Sequence, residues 1–396
     1  MSQYRKMIKT LALSGFLVST ALNGALAWEA EAVTERLKQL VAAQGIDLAW
    51  AAVSDDGSSI TIEGLKATPT GEDRSVDLGT VTLEDVTEDD KNYQIGEISL
   101  PSYESTSAEG TVSVQDISVS GLMLPKENTG DAMADVMLYE SADLGGLQIS
   151  SGDTDVFSLS AVHVEMMPPA EDGTLEFTGT ADRFTLDIDA VTTEAKGRET
   201  LERLGYSQIE GNVEMAGSWR PSDGRLMLSQ NDVTVADAGT FGLTLDLSGY
   251  TPEFAKALRE MQAEMAANPT GDKSAQGMAM LGLMQQLTFN GVVIRFEDDS
   301  LTNKLLDYAA ERQGVERADV ANQVKAMVPL KAASFLGPEL TASVTEALST
   351  FLENPESLEI RAQPENPVPF ALLMGAALAS PQSLPGQLGL KVNANQ

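Results

Sequence analysis

Between Ile60 and Leu247, apolar residues recur with a period of two, in short runs separated by turn residues. Residues 77–100, DLGTVTLEDVTEDDKNYQIGEISL, show the pattern. Val81 and Leu83 fall on one face, while Thr80, Thr82 and Glu84 fall on the other. The acidic turn Glu88-Asp89-Asp90 then leads into a second alternating run. Such alternation predicts strands with one dry face and one wet face. The same rhythm returns at Val112/Val114, Phe157/Leu159, Val162/Val164, Phe184/Leu186/Ile188, Val233/Val235 and Phe241/Leu243/Leu245/Leu247. A long series of this kind predicts a large antiparallel sheet. The alternation alone is compatible with a dry face that touches a filled core and with one that lines a groove.

The parity of the apolar positions slips inside several runs. Tyr93 and Ile95 are odd, whereas Ile98 and Leu100 are even, with Gly96 between them. Val112/Val114, Ile117/Val119 and Leu122/Leu124 slip twice in one stretch. A slip of one residue turns every following side chain to the opposite face unless a bulge or bend restores it. Repeated bulges in a strongly twisted sheet, or short strands joined by tight turns, both fit this pattern.

Helical spacing frames the strands. Val33, Leu37, Leu40 and Val41 predict a first helix that stops at Gly45, and a second is expected over 193–204, before Gly205. Beyond Gly249 the period changes. TPEFAKALREMQAEMAANP offers Thr251 as N-cap, Pro252 in the first turn and a stripe of Phe254, Leu258, Met261 and Met265. The following TGDKSAQG reads as a loop. Helices are then expected near 275–287, 300–313 (capped by Ser300 and ended by Gly314), 317–328 and 338–353, the last beginning at Pro338. Strand signals return at Val292/Ile294/Phe296, Leu358/Ile360 and Leu388/Leu390/Val392. The predicted class is α+β and strand-rich: a large curved antiparallel sheet, helices packed on its concave face, and a more helical C-terminal part. The expected organisation is an export segment at 1–27, a helix plus strand-rich acidic region at 28–250, and a helix-rich region with returning strands at 251–396.

The ends and the charge narrow the setting. Arg5, Lys6 and Lys9 precede an apolar stretch, LALSGFLVSTAL, and then Ala25-Leu26-Ala27, the layout of a cleaved secretory signal peptide. The stretch falls short of the ~20 residues that a membrane crossing needs, as does PFALLMGAALA at 369–379. No cysteine follows it to carry a lipoprotein anchor, and the chain has none at all, so no disulfide staples the fold. Acidic side chains number 59 against 26 basic ones. Residues 28–250 hold 42 of these acids and 12 basic residues, residues 251–396 hold 17 and 11. Such a field repels nucleic acid, and nucleic-acid binding is excluded as a function class. A signal peptide, acidity and the lack of cysteine together point to a bacterial periplasm.

The residues offer little catalytic chemistry. The single histidine, His163, alternates with Val162 and Val164 and is expected on the wet face. No GxSxG elbow, Ser-x-x-Lys dyad, phosphate loop or GxGxxG fingerprint accompanies it. One histidine without cysteine is a poor zinc set, so no metal and no cofactor is expected. Paired carboxylates could serve glycoside hydrolysis, but aromatic platforms are scarce, with three tryptophans: Trp28, Trp50 and Trp219. Acidic runs at 54–59, 151–155 and 296–300 lack the twelve-residue calcium-loop pattern. Met261, Met265, Met278, Met280 and Met284 cluster after residue 250, suited either to core filling or to an irregular apolar partner.

The phrases LGTVTLEDV, VQDISVSGL and GTFGLTLDLSG resemble the strand layers of periplasmic AsmA-like and YdgA-like proteins. The closing half, from RFEDDSLTNKLLDYAAERQG to LPGQLGLKVNAN, looks like the C-terminal part of uncharacterised exported proteobacterial families. The resemblance implies an association with the cell envelope and with lipid held in an apolar β-groove. It carries no catalytic residue, and the chain departs from it in lacking a retained N-terminal membrane helix. The reading from sequence is a non-enzymatic periplasmic protein that binds a lipid or acyl ligand through Phe241, Leu243, Leu245, Leu247, Met261 and Met265. The alternative is an interaction or scaffold protein with a fully packed core and an acidic surface facing an envelope protein partner. An acid-based hydrolase ranks last.

Overall fold

The computed structural model describes residues 28–70, 75–107, 110–127, 136–192, 195–267, 273–333 and 336–396. The expected export segment lies outside them. The helix α1 (Ala30–Ala43) leads into β1 (Ile46–Ala49), β2 (Ala52–Asp55), β3 (Ile60–Pro69), β4 (Val76–Glu84), β5 (Thr87–Glu88), β6 (Asn92–Leu100), β7 (Tyr103–Thr106), β8 (Thr111–Pro125), β9 (Ser141–Ser151), β10 (Thr154–Met166) and β11 (Leu175–Asp187). Two short helices, α2 (Ile188–Val191) and α3 (Ala195–Arg203), precede β12 (Gln208–Arg220), β13 (Arg225–Val235) and β14 (Gly239–Ser248). Then follow α4 (Pro252–Ala267), α5 (Lys273–Met284), β15 (Thr288–Asp298), α6 (Leu301–Gln313), α7 (Arg317–Ala332), α8 (Pro338–Glu353), β16 (Ser357–Ala362), β17 (Val368–Pro369), α9 (Phe370–Ala379), α10 (Leu384–Gln387) and β18 (Leu390–Ala394).

The eighteen strands of the described residues form one antiparallel sheet. Its long strands pair with their neighbours in sequence, from β8 through β16, and β18 closes the far end on β16. At the near end β1 and β2 share one edge of β3. Among the described residues the two ends do not pair with each other, so the sheet is open. The change from strand to helix period near residue 250 does not interrupt it, because β14 pairs with β15 from Gly239↔Asp298 to Ser248↔Thr288.

The parity slips are creases in long strands. β8 runs without a break from Thr111 to Pro125. Within it Asp116 takes a left-handed backbone (φ 53°) and Gly121 does the same (φ 65°). Two successive residues then face outward, and Val114 and Ile117 both face inward. The neighbours slip at the same place: Val114 pairs with Leu147 and Ile117 with Leu144, on either side of Asp116 and Gly145. Ala161 of β10 (φ 49°) continues the line. A second crease passes through Asp85 (φ 52°), which faces Gly96. Because adjacent strands slip together, the apolar set stays on one face. The slip at Gly145 also explains why β9 does not stand out in the sequence: Leu144 is even while Leu147 and Ile149 are odd.

That apolar face is filled at its near end. Val33, Leu37 and Leu40 of α1 pack onto Ile60, Ile62, Val81, Leu83, Ile95 and Leu124, most of them fully buried. Each such side chain contributes roughly 1.5–3 kcal/mol by leaving water. The dry face of DLGTVTLEDV is therefore core. Gly45 (φ 89°) ends α1, as the sequence predicts. At the far end α8 lies on β18 and β16, with Phe351 edge-on to Phe296 at 6.4 Å between ring centres. The fully buried residues of α8 are Ala347 and Phe351.

Several helix signals are met and others differ. Thr251 caps α4 by accepting from the Phe254 N–H at 3.2 Å. Gly314 (φ 68°) ends α6. Ser300 stands at the N-cap of α6, but the capping oxygen is Asp298 Oδ1, which accepts from Thr302 N–H at 2.7 Å. The hydroxyl of Ser300 donates instead to the Asp237 carbonyl. The second half of the expected TGDKSAQG loop, from Lys273, belongs to α5.

Candidate functional site

Between its covered ends the apolar face is only half-buried. The register places Leu144, Val162, Ala181, Val213, Val233, Phe241 and Phe296 in one row across seven strands. None of the residues of β9, β10, β12 or β13 is fully buried. On this face Val112 and Ile149 are exposed, and Phe241 keeps 47% of its surface. The opposite face of the same strands carries Asp143, His163, Thr180 and Glu214. His163 is on this wet face, its Nδ1 2.6 Å from Asp143 Oδ1.

Aromatic rings lie along the apolar face over glycines of the next strand. A Cβ at Gly217 would stand 2.6 Å from Phe177 Cζ, and one at Gly211 the same distance from Phe184 Cζ. These glycines leave room for the rings to extend over the neighbouring strand.

A cavity of about 520 Å³ lies at one end of β10–β13. Its floor is Met166, Leu175, Phe177, Trp219 and Leu226, joined in register by Met166↔Phe177, Leu175↔Trp219 and Trp219↔Leu226. Tyr250, Pro252, Ala255 and Arg259, at and after the start of α4, form the opposite wall, with Gln44 from the end of α1 at the side. The size fits the roughly 300–1,000 Å³ of small-molecule sites. Local contacts fix the wall: Trp219 Nε1 donates to the Tyr250 carbonyl at 2.8 Å, Tyr250 N–H donates to the Gly224 carbonyl at 2.9 Å, and the Tyr250 ring packs on Phe254 at 5.3 Å. A smaller cavity of about 390 Å³ shares Tyr139, Met166 and Leu175 with it.

Arg259 is the singular group in this wall. Its Nε is shut off from solvent with no hydrogen-bond partner. The residues at ion-pair spacing along α4 are Ala255, Lys256, Gln262 and Ala263, none of them acidic. Among the described residues, no acid lines the cavity.

The sequence-predicted residues separate into two groups. Phe241, Leu243, Leu245 and Leu247 share the apolar face, opposite Phe296, Ile294, Val292 and Phe289 of β15. Leu247 also pairs with Leu226 of the cavity floor. Met261 packs instead against the cluster of Phe254, Leu283 and Leu287, and Met265, a turn further along, is exposed. Arg259 and the Trp219–Tyr250 contact were not singled out by sequence. The available signal was a second helical stripe, Pro252, Ala255 and Arg259, beside the one read from Phe254 to Met265.

The acidic runs at 54–59 and 296–300 have structural work. Asp56 Oδ1 accepts from the N–H groups of Ser58 and Ser59 at 3.0 and 2.9 Å, and these bonds lower its pKa from the ordinary value of 3.8. Asp298 caps α6. Among the described residues, no group of three or more metal-ligating side chains gathers in one place, and no helix is long and apolar enough to cross a membrane.

A family model described as "Uncharacterized protein" matches residues 232–395. The match begins inside β13 and takes in α4, with Arg259, and everything to β18. No curated protein matches the chain.

Proposed function

We propose that the protein is a non-enzymatic, exported cell-envelope protein of the periplasm that holds an apolar, lipid-like ligand against the middle of its sheet. The observation that carries this reading is the unbroken apolar face, filled by α1 at one end and covered by α8 at the other, with half-exposed rows between them. A face of that kind in an acidic, water-soluble setting is unfavourable unless something apolar covers it. The aromatic rings laid over Gly211 and Gly217 leave a low surface on which a chain can rest, and the cavity under α4 offers a deeper end. The filled core over β3–β8 favours the scaffold reading for that part of the sheet alone.

Native mass spectrometry of the exported protein, purified without detergent, tests the proposal. Excess mass released by organic solvent as acyl chains supports it. A clean mass, together with no binding of a fluorescent fatty acid or fatty alcohol, would overturn it and turn attention to protein partners of the acidic face.

A further inference from the structure

We infer that Arg259 receives the anionic head of a single-chain amphiphile, a carboxylate-headed acyl chain, whose tail lies over Trp219, Phe177 and Leu226. The inference rests on the apolar-ligand reading and adds the head-group chemistry.

Three observations converge. The first is the isolation of the charge. Among the described residues Arg259 is the one arginine with neither a hydrogen bond nor an ion pair, in a chain with 59 acids. Its counterparts find partners: Arg183 meets Glu210 at 2.8 Å, Arg225 meets Asp246 at 2.9 Å, and Arg361 meets Glu359 at 3.0 Å. The second is position. Arg259 forms part of the wall of a cavity whose floor is apolar and aromatic, so a ligand long enough to lie on the floor brings one end to the guanidinium. The third is the state of the other polar groups there. Trp219 Nε1 is already used by the Tyr250 carbonyl, and among the described residues none of the lining side chains is acidic. A guanidinium stays charged at any physiological pH and presents a planar fork that matches a carboxylate. A shielded, charged donor without an acceptor is unfavourable, and an incoming carboxylate supplies the acceptor. The apolar floor and the lone cation thus select an amphiphile over a neutral hydrocarbon.

The test compares a fluorescent long-chain fatty acid with the matching fatty alcohol. The wild-type protein is expected to bind the acid at least about tenfold more tightly, the scale of one charge-assisted contact. In Arg259→Gln the two ligands should bind alike, the preference for the acid being lost while the urea midpoint of the protein is preserved. A wild-type protein that binds acid and alcohol equally would overturn the head-group inference and leave the apolar site standing. So would an acid preference that survives in Arg259→Gln. A wild-type protein that binds neither ligand removes the apolar-ligand reading itself, and this inference with it. A second measurement avoids the variant at Arg259: in Trp28→Phe/Trp50→Phe, where Trp219 is the remaining tryptophan, a chain-brominated fatty acid should quench the fluorescence. Binding without quenching would place the ligand elsewhere and overturn the assignment.

Discussion

The ring of Phe177 lies across Gly217 of the neighbouring strand, so that a Cβ on that glycine would come within 2.6 Å of Phe177 Cζ and 2.5 Å of the Met227 carbonyl oxygen. Phe177 is also floor of the cavity beneath α4. Gly217→Ala must therefore push the ring out of its place, an overpacking that costs about 1–3 kcal/mol. The urea midpoint should fall and binding of an apolar probe should weaken together. Gly277→Ala in α5 is the control, since nothing lies within 4 Å of its added Cβ. There a helical alanine should raise stability by about 0.5–1 kcal/mol. Equal effects at the two glycines would show that the ring does not depend on Gly217.

The covered and uncovered parts of the apolar face should respond oppositely to truncation. Leu40 is fully buried between α1 and the sheet, so Leu40→Ala should cost about 2–5 kcal/mol and leave any ligand binding in proportion to the folded fraction. Phe241 keeps 47% of its surface. Phe241→Ala should cost only about 1 kcal/mol, yet lower the affinity for a fluorescent fatty acid. Chemical denaturation and titration on the same two variants separate these effects. A large stability loss at Phe241 with unchanged binding would mean that the row is core.

The creases allow a coupling test. Asp116 and Gly145 face each other, and a Cβ at Gly145 would lie 2.7 Å from that of Asp116. Gly145→Ala alone should be destabilising. Asp116→Gly removes the obstructing Cβ and suits the left-handed backbone. In the double variant the cost of Gly145→Ala should shrink, giving a coupling of about 0.5–3 kcal/mol. Additive effects from denaturation curves would rule out the close approach.

This pair also shows what the sequence could and could not reveal. Strand after strand was legible because a face packed on helices, or lined with apolar rows, imprints a period of two. Gly45, Thr251 and Gly314 mark helix ends through backbone geometry and capping, which are local. The creases were visible only as broken parity. Whether Val114 and Ile117 share a face depends on the neighbouring strand slipping at Gly145, a distant event in sequence. For the same reason α1 over Val81 and Leu83 could not be distinguished from an open groove. Phe241 to Leu247 were readable as one apolar face. Arg259 was not, because an arginine on a helix reads as solvated unless the absence of a partner is seen in three dimensions.

Acid should loosen the turn that supports α4. The Arg220 guanidinium, 2.6 Å from Asp223 Oδ2, holds that carboxyl below the ordinary 3.8, and hydrogen bonds from Thr174 do the same for Asp172. A carboxyl with a depressed folded pKa adds stability that is present above its unfolded value and is lost as pH falls through the folded one. Stability should thus be flat near neutrality and decline below about 3.8. Arg220→Gln should reduce the part of the decline due to Asp223. Both groups are largely exposed, so salt should weaken the effect. Urea midpoints across this pH range, unchanged by Arg220→Gln, would remove Asp223 as a contributor.

Helix α9 presents the opposite case, an apolar segment that contributes little to the core. Residues 366–390 contain no charged side chain in a chain of net charge −33. None of the α9 residues is fully buried, with Leu372 62% and Leu378 88% exposed. The start of the helix is held by Phe370, edge-on to Phe289 at 6.5 Å. Substitution at such exposed positions usually shifts stability by no more than about 0.5 kcal/mol. Leu372→Gln/Leu378→Gln should therefore melt with the wild-type protein, while Phe370→Ala melts earlier. Exposed apolar surface promotes association, so the double variant should scatter less light as concentration rises. An early melt of the double variant would show that α9 is packed in solution. Unchanged scattering would show that association, where it occurs, uses another surface.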